Sequence, residues 1–255
     1  MASHKITVFP RTIAVWGNSG SGTSTLAIKL ALEIAELGKN VVLVDANYNA
    51  PQANVWYPRL ELAKTESMSV LLDNNIDVEA AASKIKVINK NLGVLGYAKD
   101  YASNAIPGRS DTAIDLLNVL PQICDVAIID CQSGIMSDVL SLEALGQAEL
   151  RIVGITPDVR GLAWYDSNVR MMEEEWLNNK LATIKLFNKV KANSPANEVE
   201  NIIGTVQYYL PYSSEIEDEV CTGELGSREY KRKAKKYAKV IDTMVSQMAK
   251  QIDIK

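Results

Sequence analysis

Residues Thr12-Ile13-Ala14-Val15-Trp16 form an apolar run that breaks into Gly17-Asn18-Ser19-Gly20-Ser21-Gly22, and from Thr23 to Leu37 apolar residues recur at helical spacing. A strand that can be buried on both faces, followed at once by a glycine-rich turn and a helix, is the opening of a parallel β-α-β crossover and leaves few folds open. In the helix, Leu26, Leu30, Ala31 and Ile34 turn inward, Lys29, Glu33 and Glu36 form a polar stripe, and Gly38 supplies the stop. Glycines in the turn permit torsions that aim successive N–H groups at one anion, and the helix start adds its partial positive charge. The competing reading of the turn is a plain connection between two elements.

Six further apolar runs read as strands: Val41 to Asp45, Leu92 to Leu95, Val126 to Asp130, Arg151 to Thr156, Thr183 to Phe187 and Thr205 to Leu210. Further helices are predicted from Asp138 to Leu145 with Gly146 closing it, from Gly161 to about Asn178, from about Tyr230 to Ile252, and around Ser67 to Leu72 within an otherwise loop-like region from Asn47 to Asn91. This pattern predicts an α/β fold, a mostly parallel central sheet with helices on both faces. No Pro/Gly/Ser-rich linker and no repeat divides the 255 residues, so one domain is expected over residues 1–255, closed by a basic amphipathic helix at about 228–255.

Composition removes several classes. No stretch of eighteen apolar residues occurs, and Met-Ala-Ser-His-Lys lacks the apolar run of a secretory signal, which predicts a cytoplasmic protein. Cys124, Cys131 and Cys221 have no CxxC spacing and His4 is the single histidine, so zinc and a histidine base are not expected; a metal here would be magnesium held by oxygen. A net charge of −4 argues against indiscriminate nucleic-acid binding.

Gly17 and Gly22 have the spacing of the phosphate-loop pattern G-x-x-x-x-G-K-[ST], and Ser24 falls at the magnesium-binding hydroxyl, but Thr23 occupies the lysine position. Losing hydrogen bonds from a charged group typically costs roughly 1.5 to 3 kcal/mol, about one to two decades of affinity.

In order along the chain, further segments resemble the MinD/ParA superfamily of deviant P-loop ATPases: Val42-Leu43-Val44-Asp45-Ala46-Asn47, Asp125-Val126-Ala127-Ile128-Ile129-Asp130-Cys131, Thr156-Pro157-Asp158, Phe187-Asn188-Lys189 and Leu210-Pro211-Tyr212. The resemblance implies ATP or ADP with magnesium, bound by Gly17, Asn18, Ser19, Gly20, Ser21, Gly22, Thr23, Ser24, Thr25, Asn188 and Pro211, with Ser24 and Asp130 holding the metal through water. It also places Asp45 and Asn47 at the switch I positions. Asn18 stands where the family has a signature lysine and Asn47 where it has a second acid, so with Thr23 three charges are missing and no catalytic residue is assigned. Phosphoryl transfer depends on positioning and electrostatic stabilisation, so at most a weak ATPase is expected.

Ala14-Val15-Trp16-Gly17, Leu95-Gly96-Tyr97 and Ala127-Ile128-Ile129-Asp130-Cys131 look most like the TadZ/CpaE pilus-assembly group. That implies a nucleotide-binding or pseudo-ATPase scaffold, a homodimer recruited to the inner face of the membrane or a cell pole, that localises or assembles a pilus, secretion or conjugation apparatus. Two alternatives stand beside it: a slow but active ATPase of the same fold, and a ParA-like DNA segregation protein.

The second alternative would use the basic stretch containing Lys231, Arg232, Lys233, Lys235 and Lys236 to meet DNA, an acidic membrane or an acidic partner. Tyr237, Ile241, Met244, Val245, Met248 and Ile252 recur at helical spacing, which instead favours a packed helix with a basic solvent face. Arg160 is the cation that could compensate for the missing lysine, against the simpler reading of a solvated arginine. Trp56 and Tyr57 read as core rather than partner patch, Trp16 as packing beneath the nucleotide site, and Cys131 as a small buried residue.

Overall fold

The structure is a computed structural model that describes residues 4–57, 60–99, 109–134 and 138–254. It opens with β1 (His4–Val8), β2 (Thr12–Gly17), α1 (Thr23–Glu36), β3 (Val41–Asp45), α2 (Ala53–Trp56), α3 (Met68–Leu72), α4 (Val78–Lys84), β4 (Lys86–Asn89) and β5 (Leu92–Leu95). After these come α5 (Ser110–Ile123), β6 (Val126–Asp130), α6 (Val139–Gln147), β7 (Leu150–Ile155), α7 (Val159–Trp164), α8 (Arg170–Asn178), β8 (Ala182–Val190), α9 (Ala196–Ile203) and β9 (Tyr208–Pro211). The chain ends with α10 (Ser214–Thr222), α11 (Tyr230–Lys233), α12 (Lys235–Met248) and β10 (Lys250–Ile254).

Eight strands form one sheet in the order β4-β5-β3-β6-β2-β7-β8-β9, parallel throughout except for β4. Alternate residues of each central strand enter opposite cores, which is why these strands read as unbroken apolar runs. Ile13, Val15, Leu43, Ile128 and Ile152 pack with α1 and α12 on one face; Ala14, Trp16, Val44, Ile129 and Val153 pack with α5, α6 and α8 on the other. The predicted α/β architecture with helices on both faces is the one observed.

All seven expected strands are present, with the ends of β2, β7, β8 and β9 shifted by up to three residues. Three others were not expected. Strand β4 alternates half-buried and exposed residues and closes the sheet antiparallel to β5, as a short edge strand can. Strands β1 and β10 pair separately as an antiparallel ribbon, His4 opposite Ile254 through Val8 opposite Lys250. That pairing corrects the helix expected from Tyr230 to Ile252: it breaks at Ala234, ends at Met248, and Ile252 belongs to a strand. Helix α6 runs through Gly146 to Gln147, since a glycine without positive φ need not stop a helix. Asp158 caps α7 by accepting from the Gly161 amide at 2.8 Å, so that helix starts at Val159 and continues to α8 through a π-helical turn at Tyr165–Val169.

The polar stripe assigned to α1 is an interior seam. Lys29 is 0% and Glu33 5% exposed, because the segment from α10 to α12 covers them. The Lys29 ammonium donates to Glu219 at 2.6 Å and to the Leu225 and Ser227 carbonyls at 2.9 and 3.0 Å, and lies over the Tyr230 ring. Glu33 accepts from the Tyr230 hydroxyl at 2.7 Å and pairs with Lys231 and Arg228.

Candidate functional site

Parallel strands deliver their carboxyl ends to one edge of the sheet, and in open α/β sheets ligands bind there, where successive connections leave in opposite directions. Here that point is β2, flanked by β6 and β7. A cleft of about 560 Å³ opens at this edge. Its walls come from the loop after β2, the ends of β6, β8 and β9, and the face of α10.

Close packing shapes the loop. A Cβ on Gly17 would stand 2.0 Å from the Gly154 carbonyl oxygen, so only glycine lets β2 and β7 continue into the turn side by side. Gly22 has φ +83° and starts α1 in a conformation that side chains rarely adopt. The loop closes on itself through the Ser21 amide bonding to the Asn18 carbonyl at 2.9 Å, and the Asn188 amide donates to the Gly22 carbonyl at 3.3 Å.

The residues at the missing-charge positions are engaged in the fold. Asn18, 6% exposed, donates to the Thr156 hydroxyl at 3.1 Å and accepts from the Thr156 amide at 2.9 Å. The Thr23 methyl is wedged against Gly17 and Gly154, directed into the molecule. Asn47 lines the cleft while its side-chain oxygen accepts from the Ala50 amide at 3.1 Å. Asp45, fully buried, accepts from the Gln52, Ala53 and Asn47 amides at 2.6, 2.9 and 3.1 Å, so it folds the chain after β3 instead of facing the cleft.

Asp45 and Asp130 are register partners on β3 and β6. Burial pushes Asp45 up to about 6 and holds Asp130 well above the usual carboxylate range, with Asp138 adding to the cost of ionising Asp45 and Asp45 to that of Asp130. The neighbouring Ser24 side chain favours the ionised form of Asp130 against burial, and the Asp130 Oδ1 is buried without a hydrogen-bond partner among the described residues. A buried carboxyl with an unused oxygen beside a hydroxyl at the cleft floor suits a hard divalent cation and its water.

Asn18, Ser19, Gly20, Gly22, Thr23, Ser24, Thr25, Asn188 and Pro211 line the cleft with Asp130, whereas Gly17 and Ser21, also expected to contact nucleotide, lie behind it. Arg160 follows the simpler reading of a solvated arginine: its side chain is 90% exposed, faces Asp158 at 3.6 Å and does not line the cleft. The basic stretch divides. Lys231 is held by Glu33 and Asp242, Arg232 pairs with Glu229 at 2.8 Å, and Lys233, Lys235 and Lys236 are exposed. Trp16 is buried, edge-on to Trp164 with ring centroids 4.6 Å apart, and both indoles donate to the Ser133 carbonyl after β6. Trp56 is buried and Cys131 is 5% exposed.

Sequence reasoning missed the wall made by Lys189, Ile216, Glu217, Val220, Cys221 and Tyr237. One local signal existed: Ser213 precedes Ser214-Glu215-Ile216 as a helix cap would, and its hydroxyl accepts from the Ile216 amide at 3.4 Å.

A mostly parallel sheet flanked by helices, with a glycine loop leading from its central strand into α1, defines the P-loop NTPase class. Within that class, the sequence is similar to MinD proteins and the fold is that of solved MinD and ParA ATPases. The chain is 30% identical over 186 residues to a septum site-determining MinD protein of Oltmannsiellopsis viridis, covering 72% of this chain and 56% of that one. It is 27% identical over 159 residues to MinD of Synechocystis, covering 62% and 58%. The chain thus spans little more than half the length of these relatives. Among solved structures it superposes on a ParA family ATPase of Chlorobium tepidum with a TM-score of 0.76 at 16% identity, covering 93% of this chain and 99% of that one. Another is MinD of Pyrococcus horikoshii complexed with Mg-ADP, with a TM-score of 0.70 at 18% identity, covering 93% and 95%. At those identities the structures speak for the fold. No family model matches the chain.

Proposed function

We propose that this chain is a single MinD/ParA-type unit that binds ATP or ADP with magnesium in the cleft, hydrolyses it poorly, and acts as a dimeric scaffold. The observation that carries the reading is the Ser24–Asp130 pair, with its buried unpartnered carboxylate oxygen, at the foot of an intact glycine cradle. Loop N–H groups would hold the phosphates, Ser24 and Asp130 the metal through water, and Asn188 and Pro211 the base. Magnesium would neutralise phosphate charge and order the phosphates against the loop. The solved MinD relative complexed with Mg-ADP supports this choice of ligand.

Poor hydrolysis is supported by what Asn18, Thr23 and Asp45 do: each spends its side chain on an internal contact. Nucleotide would then serve to stabilise one conformation or a homodimer. The resemblance to the TadZ/CpaE group supports a cytoplasmic scaffold recruited to the membrane face or a pole to place a pilus, secretion or conjugation apparatus. Among the described residues no helix is long and apolar enough to cross a membrane.

The test is equilibrium Mg-ATP binding and steady-state hydrolysis, beside the variant Thr23→Lys/Asn47→Asp. Binding with turnover well below that of the repaired variant is expected; equal turnover would sink the pseudo-enzyme reading.

A further inference from the structure

A cleft that binds phosphates in a region of low dielectric gains greatly from one cation, and position 23 supplies none. Among the described residues that line the cleft, one is basic: Lys189, at the end of β8. Its ε-methylene lies 3.6 Å from where a Cβ on Gly22 would stand, which puts the ammonium beside the last glycine of the loop. Lys29, the basic residue of α1, is sealed in the seam with Glu219 and cannot reach the cleft.

The backbone bends to put Lys189 there. The β8–β9 register shifts between Phe187 and Val190, and within that irregularity Lys189 has φ +57°, one of two non-glycine residues with positive φ among the described residues. A bulge re-aims a side chain, and a left-handed lysine costs conformational free energy that a glycine would not. Asn188 fixes the geometry from the preceding position: its side chain accepts from the Lys189 amide at 2.9 Å while donating to the Gly22 carbonyl. Loop and lysine are therefore braced by one asparagine.

We propose that Lys189 is the phosphate-binding cation of this cleft, supplied from the end of β8 in place of the lysine that Thr23 has displaced. The inference rests on the nucleotide reading above and names the residue that makes it work. In the structure the ammonium faces the Glu217 carboxylate at 3.4 Å, on the opposite wall. Glu217 is also held by the Tyr212 hydroxyl at 2.9 Å, so it stays in place while the flexible lysine turns toward the phosphates. Lys189 is a binding residue with no assigned role in proton transfer. Its ligand is the diphosphate of a nucleoside di- or triphosphate, and adenosine should not notice it.

The experiment is calorimetric titration of adenosine, Mg-ADP and Mg-ATP into the full chain, Lys189→Ala, Lys189→Arg, Lys189→Gly and, as an exposed-cation control, Arg160→Ala. Lys189→Ala and Lys189→Gly should weaken Mg-ADP about tenfold to a hundredfold, Lys189→Arg should recover most of that, and adenosine affinity and the Arg160→Ala titrations should stay at wild-type values. Lys189→Gly relieves the left-handed backbone and should melt no lower than wild type, which separates lost binding from lost folding. Wild-type Mg-ADP affinity in Lys189→Ala overturns the proposal while leaving the nucleotide reading intact. Failure of the wild-type chain to bind any nucleotide at millimolar concentration overturns both.

Discussion

Asn18 is tied to Thr156 through both ends of its amide, donating to the hydroxyl and accepting from the backbone N–H. The contact ties the loop after β2 to the turn after β7, and Thr156 passes it on to Asp158, the cap of α7, at 3.1 Å. An amide can do this and an ammonium, having no acceptor, cannot. Asn18→Lys and Asn18→Ala should therefore each cost about 1–2 kcal/mol of stability, measured by urea denaturation. An unchanged midpoint in both would show that the bracket contributes nothing.

The buried Lys29–Glu219 pair links α1 to α10, the helix that walls the cleft. Burial holds the Lys29 pKa below its ordinary value, against the pull of Glu219. Lys29→Met strands Glu219 and two carbonyls in the interior and should destabilise by about 3–5 kcal/mol, whereas Lys29→Met/Glu219→Leu should recover a substantial part of the loss. Thermal or chemical denaturation of the pair of variants decides it.

Asp45 and Asp138 are both pushed up to about 6 by burial. Their folded pKa values exceed those of the unfolded chain, about 3.9. The native state then holds extra protons between about pH 4 and pH 6, a contribution present in full below pH 4 and lost as pH rises through 6. Melting temperature without metal should fall across that window. Asp138→Asn, which keeps a cap for the Ser141 amide, should flatten the fall, by about 3 kcal/mol at most. Parallel wild-type and variant profiles would contradict the assignment.

If Asp130 holds magnesium as proposed, the metal competes there with protons, because burial opposes ionisation of the carboxyl. The rise in melting temperature on adding Mg-ADP should be larger at pH 7.5 than at pH 5.5, and Asp130→Asn should abolish its magnesium dependence. Scanning fluorimetry with and without a chelator measures both.

Cys221 is exposed on the cleft wall, whereas Cys124 and Cys131 are buried and burial pushes both thiols up, Cys124 to about 11. One thiol per chain should react quickly with a disulfide reagent at pH 8, and saturating Mg-ADP should slow it several-fold. Equal rates with and without nucleotide would place the ligand elsewhere.

The contrast between Asp130 and Lys29 shows what was legible. Asp130 ends an apolar run that is buried on both faces, so its strand, its end of the sheet and its proximity to the β2 loop follow from the local pattern. Lys29 sits on a helix whose polar spacing reads as a solvent face, and nothing within reach in the sequence says that α10 to α12 will cover it. Asn47 was legible as a cleft residue; Asp45, two positions earlier, was not legible as a loop brace.

By itself the sequence determined the sheet, its central strand and the glycine cradle, because period, turn chemistry and strand burial are set by neighbours along the chain. The tertiary structure alone decided that Asn18 and Thr23 turn inward, that the α1 stripe becomes a buried seam, that residues 250–254 pair with residues 4–8, and that Lys189 lies beside Gly22. Those contacts join residues up to about 250 positions apart, and only the packing of the whole chain brings such partners within bonding distance.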